Sequence, residues 1–361
     1  MPSHAKTTLA AAVHFAHAEA VVGRLWGGEG SALILGYHRV VEDYRAALRY
    51  AMPPMLISVA TLEKHLDWLG RHCVFVTLDE AAAAYDSTRH YSGKPRVAIT
   101  FDDGYRDFYE CAFPLLQRKG IPAAVFVVTN LVGSPNLQTH DELYLLLNQI
   151  AVQGELSEHS LAQLLAAAGA AEQLMARLRP LLPNAFALTR TLLESLPHAQ
   201  ILRIVEKLGE RAEVPAEVRQ PLRALDWEAL GQLQRAGITI GSHTQSHVFL
   251  VNECEYRIVE ETAGSKEQAE QKLGAPIEHF AYPDGQFNEQ VVDAVAAAGY
   301  RYAYTTCRHR DALRPQLTVP RRLLWEQSVL DQFGEFSPAV MSCQLHGVFD
   351  LRGGCRRVHA N

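Results

Sequence analysis

The chain has 361 residues, 48% of them hydrophobic and 20% charged, with a formal net charge of −6. This is the composition of an ordinary globular protein, and it is long enough for one large domain carrying an insertion. The acidic balance excludes a basic nucleic-acid surface and a polybasic membrane patch, so no nucleic-acid partner is expected.

Residues 1–30 read as an N-terminal helical segment. The alanine-rich stretch 5–25 has helical character, and Gly27-Gly28-Glu29-Gly30 breaks it. His14, His17, Glu19 and Arg24 interrupt its apolar run, so it lacks the plan of a signal peptide. No run reaches the roughly 20 apolar residues of a membrane span, so no transmembrane segment is expected. The expected location is cytoplasmic, and peripheral membrane contact through the N-terminal helix is left open. Six cysteines, Cys73, Cys111, Cys254, Cys307, Cys343 and Cys355, contain no CxxC pair. That pattern argues against a cysteine zinc site and predicts buried free thiols in a reducing compartment.

From residue 31 the pattern alternates. Ala32–His38 is a short apolar strand with a histidine at its end. Ser58 opens a helix with Leu62, Leu66 and Leu69 at helical spacing. A strand at Val74–Leu78 and a short helix to Ala84 follow, and then the strand Val97–Phe101 ends in Asp102-Asp103-Gly104. A helix over Tyr109–Lys119 and the buried-type strand Ala123–Val128 continue the alternation. Residues 134–222 break it: they are rich in Leu, Ala, Gln and Glu and punctuated by prolines, and they read as a helical insertion. A packing accessory is the plainer role for this segment, and a lid over a substrate groove is the functional one. Its opening His140-Asp141 reads as a solvated helix start. The alternation resumes at Trp227, taken as a core residue, and runs to the last strand-like stretch Leu317–Leu323. The whole predicts an α/β fold, mainly parallel, with enough strands to close a barrel over 31–345 and a tail at 346–361.

Two stretches carry the chemistry. Asp102 and Asp103 stand at a strand end, where α/β folds place reacting groups. Neighbouring side chains on a strand point to opposite faces, and Gly104 lets the chain turn there. One carboxylate can then bind a metal while the other stays free as a base. The second stretch is Gly241-Ser242-His243-Thr244-Gln245-Ser246-His247. Histidines at i and i+4 lie on one face of a helical turn and suit a divalent cation. Asp103, His243 and His247 would form a two-histidine, one-carboxylate set with open positions for water and substrate. A metal-activated water attacking an amide or ester follows, with Asp102 as the base.

Thr-Phe-Asp-Asp-Gly at 100–104 and Ser-His-Thr-Gln-Ser-His at 242–247 resemble the first two motifs of the polysaccharide deacetylases, the NodB-like carbohydrate esterases. Tyr37-His38-Arg39-Val40, Trp227-Glu-Ala-Leu and Phe280-Ala-Tyr-Pro-Asp-Gly extend the resemblance over about 31–325. It implies a distorted (β/α) barrel, usually of seven strands, that removes acetyl groups from N-acetylated sugars with a divalent metal, zinc first. Asp102 then resembles the base, and Asp103, His243 and His247 the metal ligands. Two positions of the third motif depart from the family, Ala281 standing for its arginine and Asp284 for its tyrosine. The backbone N–H of Asp284 is left to serve the oxyanion, with Tyr105 and Tyr282 on the substrate side. Arg321, or else Arg39, takes the place of the arginine. Leu345-His346 is a poor fit to the last motif, and His38 is the better candidate for the general acid. The expected activity is a carbohydrate N-deacetylase acting on a glycan. The alternatives are a deacylase or deformylase of a lipid- or nucleotide-linked sugar and a silent glycan-binding barrel.

Overall fold

The structure, a computed structural model, describes residues 3–15, 32–86 and 93–349. Its centre is a parallel sheet: β1 (Leu33–Tyr37), β2 (Arg96–Phe101), β3 (Ala123–Val127), β4 (Thr239–Ser242), β5 (His279–Ala281), β6 (Tyr302–Thr305), β7 (Val319–Pro320) and β8 (Arg322–Leu323). Every pair is parallel, in the order β7-β6-β5-β4-β3-β2-β1-β8. Such strands are covered on both faces, which is why Ala-Ala-Val-Phe-Val in β3 is buried throughout.

β7 and β8 lie at opposite ends of this order, yet only Arg321 separates them in the chain. The chain therefore crosses from one sheet edge to the other at Arg321 and nearly closes the sheet into a barrel. Counted as one bent strand, β7 and β8 bring the total to the expected seven. Val74–Phe75 adds a short extra strand beside β2, and Arg39–Val41 pairs with Leu56–Ser58 in a separate ribbon.

Register brings the strand ends level. Tyr37 is opposite Phe101, Phe101 opposite Val125, Val127 opposite Ser242, and Ser242 opposite Phe280. The residues that follow, His38, Asp102, His243 and Tyr282, thus emerge on one rim, the carboxyl end, where parallel barrels hold their chemistry. Gly104 has φ +65°, and a Cβ there would stand 2.9 Å from Val127 Cγ1. Only glycine lets the aspartate strand turn away so close to β3.

Residues 137–222 build a second core. Helices Thr139–Val152, Glu158–Ala168, Ala185–Ser195 and His198–Gly209 bury Leu143, Leu147, Leu188, Leu192, Ile204 and Leu208 against one another. This cluster is distinct from the barrel's own core. The predicted N-terminal helix is seen over Ser3–Phe15, packed on Pro338–Leu345 through buried Ala10; residues 16–25 lie outside the described part. Of the tail, only 346–349 is described. Trp227 is half-buried against the barrel core. Among the described residues five cysteines stand outside any disulfide: Cys73 and Cys343 are buried and Cys111 and Cys307 half-buried. Cys254 corrects the expectation of burial, because it caps the helix Glu255–Leu273 at the surface; Cys355 lies outside the described residues. Among the described residues no helix is long and apolar enough to cross a membrane.

Candidate functional site

Asp102 and Asp103 follow β2 and turn apart. Asp103 has φ +70°, so the carboxylates leave the strand in different directions. Asp103 is 1% exposed and faces two imidazoles: His247 Nε2 is 3.1 Å from its Oδ1 and His243 Nε2 is 3.6 Å away. Neither oxygen of Asp103 has a well-directed hydrogen bond among the described residues. A buried carboxylate left in that state costs several kcal/mol unless a cation compensates it. The ligand atoms of Asp103, His243 and His247 all lie within 4.8 Å of one another. Two imidazole nitrogens and one carboxylate, buried and converging, are a donor set that fits a divalent cation such as zinc.

The histidines do not sit on the helical turn expected from their spacing. Thr244 (φ +68°) and His247 (φ +55°) both take the left-handed conformation, and a tight non-helical turn brings the rings together. With Asp103 and Asp284 (φ +54°), these are the non-glycine residues of positive φ among the described residues, and all four lie on this rim. Left-handed non-glycine backbone costs about 1 kcal/mol or more per residue and persists only where neighbours enforce it. Here Glu261, fully buried, accepts the N–H groups of Gln245 (2.8 Å) and Ser246 (2.9 Å). Thr244 Oγ1 accepts from His247 N–H, and Thr129 and Asn130, just past β3, donate their N–H groups to the carbonyls of Thr244 and Gln245. His243 donates Nδ1–H to the Ala281 carbonyl at 2.7 Å, which leaves its Nε2 lone pair toward Asp103. Burial pushes the His243 imidazole down to about 4, so the ring stays neutral.

Asp102 has a different partner. Arg321, 2% exposed, donates to both its oxygens, Nη1 to Oδ1 at 2.6 Å and Nη2 to Oδ2 at 2.8 Å. Nη1 also donates to Thr100 Oγ1. The planar guanidinium matches a carboxylate in this two-point fashion. Burial alone would raise the Asp102 carboxyl, but the Arg321 guanidinium outweighs it and holds the group below its ordinary range. One carboxylate therefore faces the two imidazoles, and the other is an ionised group fixed by an arginine at the barrel seam.

Comparison with known proteins shows the family of the chain. A family model described as polysaccharide deacetylase matches residues 89–177 and 185–303, more than half of the chain. The chain belongs to the polysaccharide deacetylase family. It is similar to poly-beta-1,6-N-acetyl-D-glucosamine N-deacetylase of Staphylococcus aureus, 33% identical over 121 residues, which are 31% of this chain and 41% of that protein. The Staphylococcus epidermidis enzyme of the same name is 34% identical over 116 residues, 30% of this chain and 39% of its own. The chain thus spans about two fifths of the length of these curated relatives. Among solved structures, IcaB from Ammonifex degensii aligns at TM-score 0.53 and 20% identity, covering 88% of this chain and 97% of that one. Streptococcus pyogenes deacetylase PplD, in complex with acetate, aligns at 0.52 and 16%, covering 82% and 93%. At these identities the likeness is one of fold: a deacetylase barrel.

Other predicted residues of this deacetylase family member fall in three places. His38 is half-buried and follows β1 directly, on the same rim as Asp102. Asp284 is exposed at the rim, in the turn Pro283–Gly285. Tyr105 and Tyr282 are corrections as substrate contacts. Tyr282 is fully buried, packed on Phe280 and Phe287, and donates its hydroxyl to the Leu317 carbonyl at 2.9 Å. Tyr105 is 1% exposed and its hydroxyl is spent on Asp141 and His140. Both rings are held inward by hydrogen bonds that sequence alone does not reveal. Arg39 does not replace the missing arginine: it pairs with Asp107 at 2.8 Å and donates to the Pro221 carbonyl. His346 caps the C-terminal helix and bonds Ser342.

His140 is the largest departure. The expected solvated helix start is 4% exposed and packs its ring 4.7 Å from that of His247. Asp141 is 1% exposed, and buried Gln138 donates to the Asp103 carbonyl at 3.0 Å. Sequence reasoning missed these three and Glu261. The available signal for the first group was a Gln-Thr-His-Asp run where the insertion leaves the barrel rim.

Proposed function

We propose that this deacetylase family member is a metal-dependent hydrolase that removes acetyl groups from an N-acetylglucosamine-containing glycan. The observation that carries the reading is the buried Asp103 carboxylate, without a well-directed hydrogen bond among the described residues, facing His243 and His247 beside an arginine-fixed Asp102. The matched curated relatives, named for poly-beta-1,6-N-acetyl-D-glucosamine, favour an N-acetylglucosamine polymer over other acetylated substrates.

Asp103, His243 and His247 would hold the divalent cation, zinc by donor chemistry. When bound, it would polarise the acetyl carbonyl and acidify water. Asp102 is the proton acceptor: it is ionised, buried and unable to rotate while Arg321 grips both oxygens. It takes a proton from water as the water oxygen bonds to the acetyl carbon. Negative charge then gathers on the carbonyl oxygen. The backbone N–H of Asp284, in the turn Pro283–Gly285 on the same rim, would serve as the donor to that oxygen. His38 supplies a proton to the sugar nitrogen as the carbon–nitrogen bond breaks, releasing acetate and a free amine. The test is to incubate the protein with zinc and N-acetylglucosamine oligomers and assay free amine and acetate together. Release of both, abolished by a chelator and restored by metal, is expected. Bound metal with no amine release would overturn the reading.

A further inference from the structure

Residues 138–141 lead into the insertion, and their side chains turn inward. Gln138 Nε2 holds the carbonyl of Asp103 at 3.0 Å, fixing a residue of positive φ. His140 and Asp141 meet Tyr105, two residues beyond Asp103. The Tyr105 hydroxyl has one proton to give. Asp141 Oδ2, a carboxylate oxygen 2.7 Å away, receives it. His140 Nε2, at 2.9 Å, must then donate its own N–H to the hydroxyl's lone pair. One edge of the His140 ring is thereby fixed and its tautomer assigned. Arg39 stands over the Tyr105 ring at 5.2 Å and donates to Pro221 at the far end of the insertion. Both ends of the insertion are so tied to the barrel through one buried polar network.

The fixed His140 ring meets His247, centroids 4.7 Å apart at 64°. On another side His247 meets His243, 4.9 Å apart at 80°. His247 is thus packed between two imidazoles, on a backbone of φ +55° that does not hold the ring by itself. The nitrogens of His140 do not join the converging set of Asp103, His243 and His247. Any effect of His140 on that set passes through the rings it touches.

We propose that the insertion supplies a positioning residue to the metal set: His140, locked by Tyr105 and Asp141, buttresses His247, while Gln138 steadies Asp103. The proposal rests on the ligand assignment made above. Groups behind the ligands orient them, and removing one typically weakens metal binding about 10- to 100-fold.

The test measures zinc affinity of the full-length protein by chelator competition and the visible spectrum of the Co2+-substituted protein, with melting recorded for each variant. His140→Ala should bind zinc about 10- to 100-fold more weakly. Tyr105→Phe, which keeps the ring and loses only the lock, should weaken binding in the same direction and shift the cobalt bands. Leu188→Ala, deep in the insertion core, should lower stability and leave metal affinity as in wild type. Wild-type affinity and an unchanged cobalt spectrum in both His140→Ala and Tyr105→Phe would overturn the proposal. So would a loss in Leu188→Ala equal to that in His140→Ala, since the effect would then be one of general folding. If His140→Ala does not fold, the near-isosteric Tyr105→Phe decides. Wild-type protein that binds neither metal would instead overturn the ligand assignment, and this proposal through its premise.

Discussion

The barrel and the insertion are packed on different principles. The insertion core is aliphatic: its buried apolar members from Leu137 to Leu222 are all Leu, Ile, Val or Ala. The barrel core mixes aliphatics with Tyr37, Trp68, Phe101, Phe280 and Tyr282, and its rim buries charged groups at Asp102, Asp103 and Arg321. Aliphatic packing tolerates exchange so long as volume is kept. A buried charge has no such latitude, because a lost partner leaves it uncompensated. Chemistry therefore concentrates where the fold fixes side chains by hydrogen bonds, and the insertion reaches it through Gln138, His140 and Asp141, and through two longer-range charges, Arg190 toward Asp284 and His198 toward His247.

The comparison is tested most severely at Asp102. Asp102→Asn keeps the shape and removes the proton acceptor, so kcat should fall about 10³-fold, within the range for general bases. Zinc content should stay as in wild type, since Asp102 is not among the converging ligands. A near-normal rate would show that the base lies elsewhere.

Next comes the insertion itself. Leu188→Ala opens a cavity among aliphatic neighbours and should cost about 3 kcal/mol, as large-to-small changes in cores do. Denaturant unfolding measures it. Well below the transition, kcat/KM should stay close to wild type, because Leu188 touches no rim residue through a hydrogen bond. A large fall in rate in the folded protein would erase the division between the two cores.

How far the sequence could be read follows the same division. The strand ends were legible because apolar runs stop at Asp102-Asp103-Gly104 and at Ser242-His243, and parallel topology gathers such ends on one rim. The helices between Thr139 and Leu222 lie in the stretch whose composition and prolines pointed to helix. What could not be read was direction. Nothing in Thr-His-Asp tells that the first turn of Thr139–Val152 faces inward, since that depends on Tyr105, 35 residues away, offering its hydroxyl. Tyr282 was misplaced for the same reason: its partner is the Leu317 carbonyl. Arg321 was reachable as a charge beside a strand end, but its two-point grip on Asp102 depends on closure of the barrel at the β7–β8 seam.

That seam gives the third prediction. Arg321→Lys keeps the charge and loses the fork, so Asp102 gains freedom to rotate. Misplacement of a reacting group by about an ångström costs up to about 10²-fold, and kcat should fall about 10- to 100-fold with KM little changed. An unchanged kcat would mean that the ion pair serves closure of the barrel and not the base.

The smallest effect is expected in the barrel's acid sensitivity. His65, fully buried on the helix Val59–His72, lies 3.2 Å from the Tyr37 hydroxyl beneath the rim. Burial pushes its imidazole from the ordinary 6.5 down to about 3. The unfolded chain takes up a proton below the ordinary value, and the folded chain does not until about 3. Stability from this group is therefore present above about 6.5 and is lost as pH falls toward 3, by about 1.4 kcal/mol per pH unit. Between about pH 7.5 and pH 5 the loss is about 2 kcal/mol. His65→Gln removes the titration, so its unfolding free energy should decline less steeply over that interval, by about that amount, whatever its stability at neutral pH. Leu188→Ala should keep the wild-type slope, because it removes no titrating group. Equal slopes in His65→Gln and wild type would locate the acid sensitivity outside the barrel core.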